Sequence, residues 1–257
     1  MPELIEVETY RRQAEAVVGR RIADVPLLDP LGLRDADPDA VRAELTGLRI
    51  EGTDRIGKLL LLRTDGPSIG LRFGMTGRLV IDGGASIERL EYSSDRDDSA
   101  WDRTVLAFDH GDLRVRDPRR LGGLELDPDV SRLGPDAATI TADELTTALG
   151  RSKAALKSRL LDQSRVAGLG NLLVDETLWR AGIDPTRPAG SLTHEQVVAL
   201  AETVVATVAD LAGRGGSHTG DLQPARARGT LCPSDGEPLV RSTVGGRTTY
   251  HCPAHQR

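Results

Sequence analysis

The chain has 257 residues, 39% of them hydrophobic and only 3% aromatic, which is enough for one large domain or two moderate ones with aliphatic cores. Its net charge of −6 argues against a protein that coats nucleic acid non-specifically, although local asymmetry can survive an acidic total. Two cysteines exclude a disulfide framework, no apolar stretch approaches the roughly 18 residues of a membrane helix, and the polar start is not a signal peptide, so a cytoplasmic protein is expected.

Leu4, Val7, Ala14 and Val17/Val18 recur at helical spacing, so 3–18 reads as an amphipathic helix that holds the N-terminus against the body of the protein. Short Leu/Ile/Val-rich segments follow at 22–28, 48–53, 58–64, 69–73, 78–82, 104–109 and 112–116, punctuated by Asp65-Gly66, Asp82-Gly83 and His110-Gly111. A short helix at 38–46, with Asp37 or Asp39 near its start, interrupts them. Such a run of short strands implies an antiparallel sandwich or barrel. The polar stretch 93–102 reads as a mobile surface loop. From about 131 the pattern turns helical, at 141–149, 152–163, 170–181 and 193–213, with capping boxes from Thr141 to Glu144 and from Thr193 to Gln196. Two strands, 238–244 and 247–251, close the chain around Gly245-Gly246, a hairpin signal.

Acid is concentrated in 24–46, 82–102 and 125–144, while 55–78, 114–120, 151–165 and 214–257 carry an excess of base. Of the 33 basic residues only Lys58, Lys153 and Lys157 are lysines, which marks those positions for attention.

Several groups of residues carry chemistry. If Met1 is removed, Pro2 presents a secondary amine one residue from the carboxylate of Glu3, and such an amine can attack a sugar carbon and form a cationic Schiff base. Cys232-Pro-Ser-Asp235 opens the C-terminal hairpin and Cys252-Pro-Ala-His255 closes it, two knuckles that can give four ligands to tetrahedral zinc. Asp235 is the unusual member and His251 its substitute; a metal-free hairpin is the alternative. In Val166-Ala167-Gly168-Leu169-Gly170-Asn171, two glycines permit a turn whose N–H groups face a phosphate at a helix start, helped by Lys153, Lys157 and Arg159; a plain helix connection is the other reading. Asp117-Pro-Arg119-Arg120-Leu121-Gly122-Gly123 combines a cation and an apolar residue suited to insertion into a base stack. Met75, between two glycines, is a second wedge or a core methionine.

Taken together, these segments resemble the formamidopyrimidine-DNA glycosylase and endonuclease VIII family of bacterial base-excision enzymes. MPELIEVET, IGKLLLL, LRFGMTGRL, DPRRLGGL, GLGNLLVDETLWRAGIDP and GGRTTYHCPAHQ match the family's motifs in order over essentially the whole chain. The resemblance implies an α+β fold: an N-terminal catalytic β-sandwich domain with an N-terminal helix (1–130), a helix–two-turn–helix DNA-binding domain (131–225) and a zinc-finger β-hairpin (226–257). It implies Pro2 as the nucleophile at C1′, Glu3 as proton shuttle, Glu6 as support, and Lys58 near the lesion's phosphate and sugar. Asn171 and Arg247 would clamp the flanking phosphates, while Met75, Arg119 and Leu121 would fill the gap left by a flipped base. One structural Zn2+ would be held by Cys232, Asp235, Cys252 and His255. The expected partner is damaged double-stranded DNA, bound by a monomer without a membrane.

Four departures stand out. Ile5 replaces the usual proline, and Leu121 stands where many members carry phenylalanine. Asp235 and His255 replace two cysteines of a four-cysteine finger. The loop 214–228, which corresponds to the segment covering the extruded base in some members, is short and unlike the versions that recognise 8-oxoguanine. The leading expectation is a bifunctional DNA glycosylase/AP lyase for oxidised or ring-opened bases. The alternatives are a non-catalytic damage- or abasic-site-binding relative, which retention of Met1 would produce, and a zinc-ribbon interaction module.

Overall fold

A computed structural model of the chain describes residues 2–33, 36–87, 90 and 98–257. The chain divides into two compact units, one of Met1–Pro2 with Glu6–Val130 and one of Glu3–Ile5 with Ser131–Arg257.

In the first unit, helix α1 (Leu4–Ala14) contributes Val7, Tyr10 and Ala14 to a core shared by two four-stranded sheets. One sheet has the order β1 (Ile22–Leu28), β6 (Asp102–Phe108), β7 (Asp112–Arg116), β5 (Arg78–Ile81); the other runs β2 (Ile50–Ile56), β3 (Leu59–Thr64), β4 (Ile69–Arg72), β8 (Gly123–Leu126). All pairings are antiparallel, and the two inner faces supply one aliphatic core, so this unit is a β-sandwich. β1 carries Pro26 at an edge, where a missing N–H costs least, and its pairing with β6 shifts register between Asp24 and Leu27. Asp37 caps the short helix α2 (Pro38–Leu45), its side chain accepting from the Asp39 N–H.

The strand β8 was not foreseen from the pattern. Its first residue is a glycine and it is only four residues long, so its pairing with β4 is a tertiary fact with no local signature. Of the loop expected at 93–102, residues 93–97 lie outside the described residues. Residues 98–102 are ordered by a 3₁₀ turn, Ser99–Trp101, capped by Asp98, and by the start of β6.

The second unit contains helices α3 (Ala142–Leu149), α4 (Leu156–Leu161), α5 (Asn171–Arg180) and α6 (His194–Gly213) and the hairpin β9 (Val240–Val244)/β10 (Arg247–His251). Leu4 and Ile5 join its core. α4 is half the expected length, because Ala154 and Ala155 are drawn into extended pairing with the segment around Pro188 and Ala189. α6 has a window of mean hydropathy 1.4 and passes the length and composition of a membrane span, contrary to the reading that no stretch does. Its Val197, Leu200, Ala201, Val204, Val208 and Leu211 are instead core residues, packed against α3 and α5.

Both expected capping boxes are formed. Thr193 Oγ1 accepts from the Gln196 N–H at 3.3 Å while Gln196 Oε1 accepts from the Thr193 N–H at 3.1 Å. Thr193→Ala is expected to lower unfolding stability by about 1 kcal/mol, measured by urea denaturation, with the m-value unchanged.

Candidate active site and nucleic-acid interface

Residues 2–7 are buried, Pro2 included. Within the second unit, Glu3 is 0% exposed and its carboxylate meets the amino end of α5. Oε2 accepts from the N–H groups of Gly170 (2.8 Å) and Leu173 (3.1 Å), and Oε1 accepts from that of Leu172 (2.9 Å). These are donors a helix leaves unpaired at its start, and the helix dipole there favours an anion. The Leu4 N–H donates to the Gly168 carbonyl at 3.1 Å, fixing the register of the N-terminal strand of chain. Gly168 has a φ of +107°, and a Cβ on Gly170 would lie 2.2 Å from Glu3 Cδ. Both glycines of the turn are therefore required by geometry. The turn's N–H groups were expected to face a phosphate; those of Gly170, Leu172 and Leu173 are taken by Glu3 and that of Gly168 by Gln163 Oε1.

Asn171 Nδ2 donates to the Thr248 carbonyl at 3.1 Å, while its Oδ1 is buried without a partner. Thr248 follows Arg247, the first residue after the Gly245-Gly246 turn, where both glycines have positive φ (+59° and +70°) as a two-residue hairpin requires. Arg247 is exposed, so the structure brings Asn171 and the Arg247 backbone to one place in this unit.

Lys157 stands behind them. Its ammonium is fully buried and donates to Asp175 Oδ1 (2.6 Å), Thr249 Oγ1 (2.8 Å) and the Thr248 carbonyl (3.2 Å); Asp175 also pairs with Arg226. Burial pushes the Lys157 ammonium below the ordinary lysine range, and Asp175 partly restores it. The expectation that Lys157 helps to bind phosphate is corrected: it is an internal strut between α4, α5 and β10. Arg159 is also engaged, through the Ala148 carbonyl (2.8 Å). Lys153 is exposed. The scarcity of lysine was the signal for Lys157, but its partners are too distant in sequence to be read from it.

In the first unit, Lys58 is half-buried on the two-residue turn Gly57-Lys58 between β2 and β3, closed by the pair Ile56/Leu59, with Gly57 at φ +56°. Met75 is half-exposed, not a core side chain, on a loop that the Gly77 N–H closes onto the Phe73 carbonyl (2.8 Å). Arg119 and Leu121 are exposed on the loop after β7. These two loops meet: a Cβ on Gly74, whose φ is +54°, would lie 2.6 Å from the Leu121 carbonyl carbon.

Asp117, nearly fully buried, organises both loops. Its Oδ2 accepts from the Leu121 (2.7 Å) and Gly122 (2.8 Å) N–H groups, and its Oδ1 from Thr76 Oγ1 (2.5 Å) and the Arg119 N–H (3.2 Å). Sequence reasoning gave this aspartate no role beyond opening the segment 117–123; the Asx-type offset to the N–H two residues on was the available clue.

The hairpin knuckles converge as expected for three of four ligands. One atom each from Cys232, Asp235 and Cys252 lie within 4.8 Å of one another, a spacing that can hold a metal ion. Asp235 Oδ2 is 3.3 Å from Cys252 Sγ. A hydrogen bond from the Glu237 N–H holds the Asp235 carboxyl below the usual carboxylate range, while burial pushes the Cys252 thiol up. His255 and His251 stand outside this trio. His255 Nε2 is 2.8 Å from the Trp179 carbonyl, so with Nε2–H donating there its Nδ1 is left as a lone pair.

A sandwich followed by a helical unit, whose turn before α5 binds the Glu3 carboxylate, defines a protein of the helix–two-turn–helix class. The sequence profile of the formamidopyrimidine-DNA glycosylase N-terminal domain matches residues 1–124, and that of the formamidopyrimidine-DNA glycosylase H2TH domain matches 133–221. The formamidopyrimidine-DNA glycosylase of Geobacillus kaustophilus (strain HTA426) is 34% identical over 284 residues, covering 100% of both chains. The structure of the MutM (Fpg) protein from Thermus thermophilus is similar at a TM-score of 0.81 and 31% identity, covering 99% of this chain and 98% of that one. Lactococcus lactis Fpg in complex with DNA containing an abasic site is similar at 0.83 and 27%, covering 100% of each. The chain belongs to the formamidopyrimidine-DNA glycosylase family.

Gly170→Ala is expected to drive the Glu3 carboxylate off the α5 terminus, since nothing but that side chain can yield. Unfolding free energy should fall by about 2 kcal/mol, as for a buried charged acceptor losing donors. In a cycle with Glu3→Gln the two losses should be strongly non-additive by chemical denaturation.

Proposed function

We propose that this chain is a bifunctional DNA glycosylase/AP lyase of base-excision repair, acting as a monomer on oxidised or ring-opened bases in double-stranded DNA. The reading is carried by one observation: a buried carboxylate, Glu3, held in place by three backbone donors next to a residue that can become an N-terminal secondary amine. The abasic-site DNA held by the Lactococcus lactis relative supports the same class of partner. Its place in the cell is then the cytoplasm, with the chromosomal DNA.

Once Met1 is removed, the Pro2 nitrogen attacks C1′ of the damaged nucleotide. The glycosidic bond breaks and the base leaves with the bonding pair. The nitrogen loses its proton and the sugar ring opens, its oxygen taking up a proton, to leave a cationic imine. Loss of a C2′ proton then expels the 3′ phosphate, and a second elimination expels the 5′ phosphate. Water hydrolyses the imine and frees Pro2. Glu3 carries the protons and Glu6, on α1, supports the chemistry. Lys58 serves the lesion's phosphate and sugar, and Asn171 and Arg247 clamp the flanking phosphates. Met75, Arg119 and Leu121 fill the space of the extruded nucleotide.

On this reading the boundaries are 1–130 for the catalytic sandwich, 131–225 for the helix–two-turn–helix domain and 226–257 for the hairpin. Cys232, Asp235, Cys252 and His255 would hold one structural zinc in the hairpin, His255 through the Nδ1 left free by its contact with the Trp179 carbonyl. Zinc there would tie the two knuckles together and so fix Arg247 on the turn between them.

Borohydride is expected to trap a covalent complex with abasic-site duplex when mass spectrometry shows that the protein begins at Pro2. Pro2→Gly and Glu3→Gln should each reduce base release at least about a hundredfold, the range of a lost nucleophile or proton carrier. Protein that keeps Met1, binds the same duplex and gives no trapped complex would establish the non-catalytic reading instead.

Purified protein is expected to contain one zinc by elemental analysis. Chelation should lower the melting temperature and weaken DNA binding, and His255→Ala should reduce zinc retention more than His251→Ala. Stoichiometric protein without metal would remove the zinc assignment and leave the glycosylase reading intact.

A further inference from the structure

Leu31 is 71% exposed, the most solvent-facing large hydrophobic side chain among the described residues. It lies in a 3₁₀ turn, Pro30–Gly32, directly after β1. A lone exposed leucine is unremarked on most surfaces. This one is held by more structure than a lone surface leucine needs. Asp29, itself buried, caps the turn by accepting from the Leu31 N–H at 3.1 Å. The same carboxylate receives both arms of Arg120, Nε at 2.8 Å and Nη2 at 2.7 Å. Arg120 has a φ of +54°, a left-handed conformation that disfavours residues other than glycine, between Arg119 and Leu121. The backbones also touch: a Cβ on Gly123 would lie 2.2 Å from the Gly32 carbonyl oxygen, and one on Gly32 would lie 3.5 Å from that of Gly122.

The turn 30–32 is thus fastened to the very loop that presents Arg119 and Leu121, and two exposed leucines share one edge. Among the described residues there, Arg103, Arg119 and Arg120 outnumber Asp29 and Asp117, so the apolar edge has a cationic rim that suits a polyanion.

We propose that Leu31 is a further DNA-contacting residue, an apolar wedge that enters the duplex beside Leu121, with Asp29 as the residue that positions it. The inference rests on the reading of loop 117–122 as a duplex wedge. It also accounts for the aliphatic Leu121. A leucine covers less of a base step than an aromatic ring, and a second leucine on the same edge supplies the missing apolar contact. The Arg120 guanidinium holds the Asp29 carboxyl below the usual carboxylate range, so the coupling persists throughout the neutral pH range.

The test uses the full-length protein and a duplex carrying one tetrahydrofuran abasic analogue with 2-aminopurine opposite it, which the protein can bind but not cleave. Leu31→Ala removes only exposed atoms and should leave the circular dichroism spectrum and melting temperature unchanged. It should weaken binding to this duplex by about tenfold, as for a partly buried leucine side chain. It should also diminish the 2-aminopurine fluorescence change, with little effect on undamaged duplex. Asp29→Asn should act in the same direction, and the charge-swapped pair Asp29→Arg/Arg120→Asp should recover part of the loss. Normal binding and fluorescence for Leu31→Ala, with Leu121→Ala impaired, would overturn the proposal and leave the wedge reading standing. If Leu121→Ala is also unimpaired, the wedge reading falls and Leu31 falls with it.

Discussion

The Glu3 carboxylate is wholly removed from water, and the amino end of α5 is built to receive it. Moving a carboxylate into a protein interior costs several kcal/mol even after relaxation. Hydrogen bonds to a charged acceptor contribute about 1.5–3 kcal/mol each, so three of them are of the size needed to offset that cost. The arrangement leaves little freedom. Gly170 has no room for a side chain, Gly168 must take a positive φ, and the Leu4 N–H is bound to the Gly168 carbonyl. Glu3 and Leu4 are thereby tied to the turn before α5. For the covalent chemistry proposed at Pro2 this is the relevant constraint, since an amine on a frayed terminus would be away from any sugar carbon most of the time.

The distance along the chain between interacting residues explains what could be read from the sequence and what could not. Capping boxes at Thr141 and Thr193, the Gly245-Gly246 turn and the cysteine knuckles are local patterns in which the interacting residues lie within a few positions of one another. So is the Pro2-Glu3 pair, whose chemistry needs no structure to be suspected. Asp117 and Lys157 are different. Lys157 meets Asp175 18 positions away and Thr249 92 positions away, and Asp117 meets Thr76 41 positions away. A buried polar residue is defined by its partners, and those partners are chosen by the fold. Read alone, Lys157 looked like a phosphate ligand because a lysine on a helix near a glycine turn has no local sign of burial. β8 escaped for a related reason, since a four-residue strand beginning with glycine acquires its identity from β4.

The acidic balance of the chain is the last element that the structure makes intelligible. Much of the acid is paired with arginines: Asp102 with Arg116 and Arg114, Asp29 with Arg120, Glu8 with Arg11 and Arg12, Asp82 with Arg20, Asp210 and Asp221 with Arg180 and Arg214. Each such arginine spends one or more of its N–H groups on a carboxylate, which lowers its net attraction for a phosphate. Arg119 and Arg247 are exposed and, among the described residues, neither has a carboxylate partner. Net charge therefore misstates the capacity for DNA. The relevant quantity is the set of cations that the protein has not already neutralised. Two of its members, Arg119 and Arg247, sit on tight turns, one held by Asp117 and the other by paired positive-φ glycines. If the apolar residues on the first of those turns enter the base stack as proposed, binding gains most where a gap in the stack lets them add to the phosphate contacts.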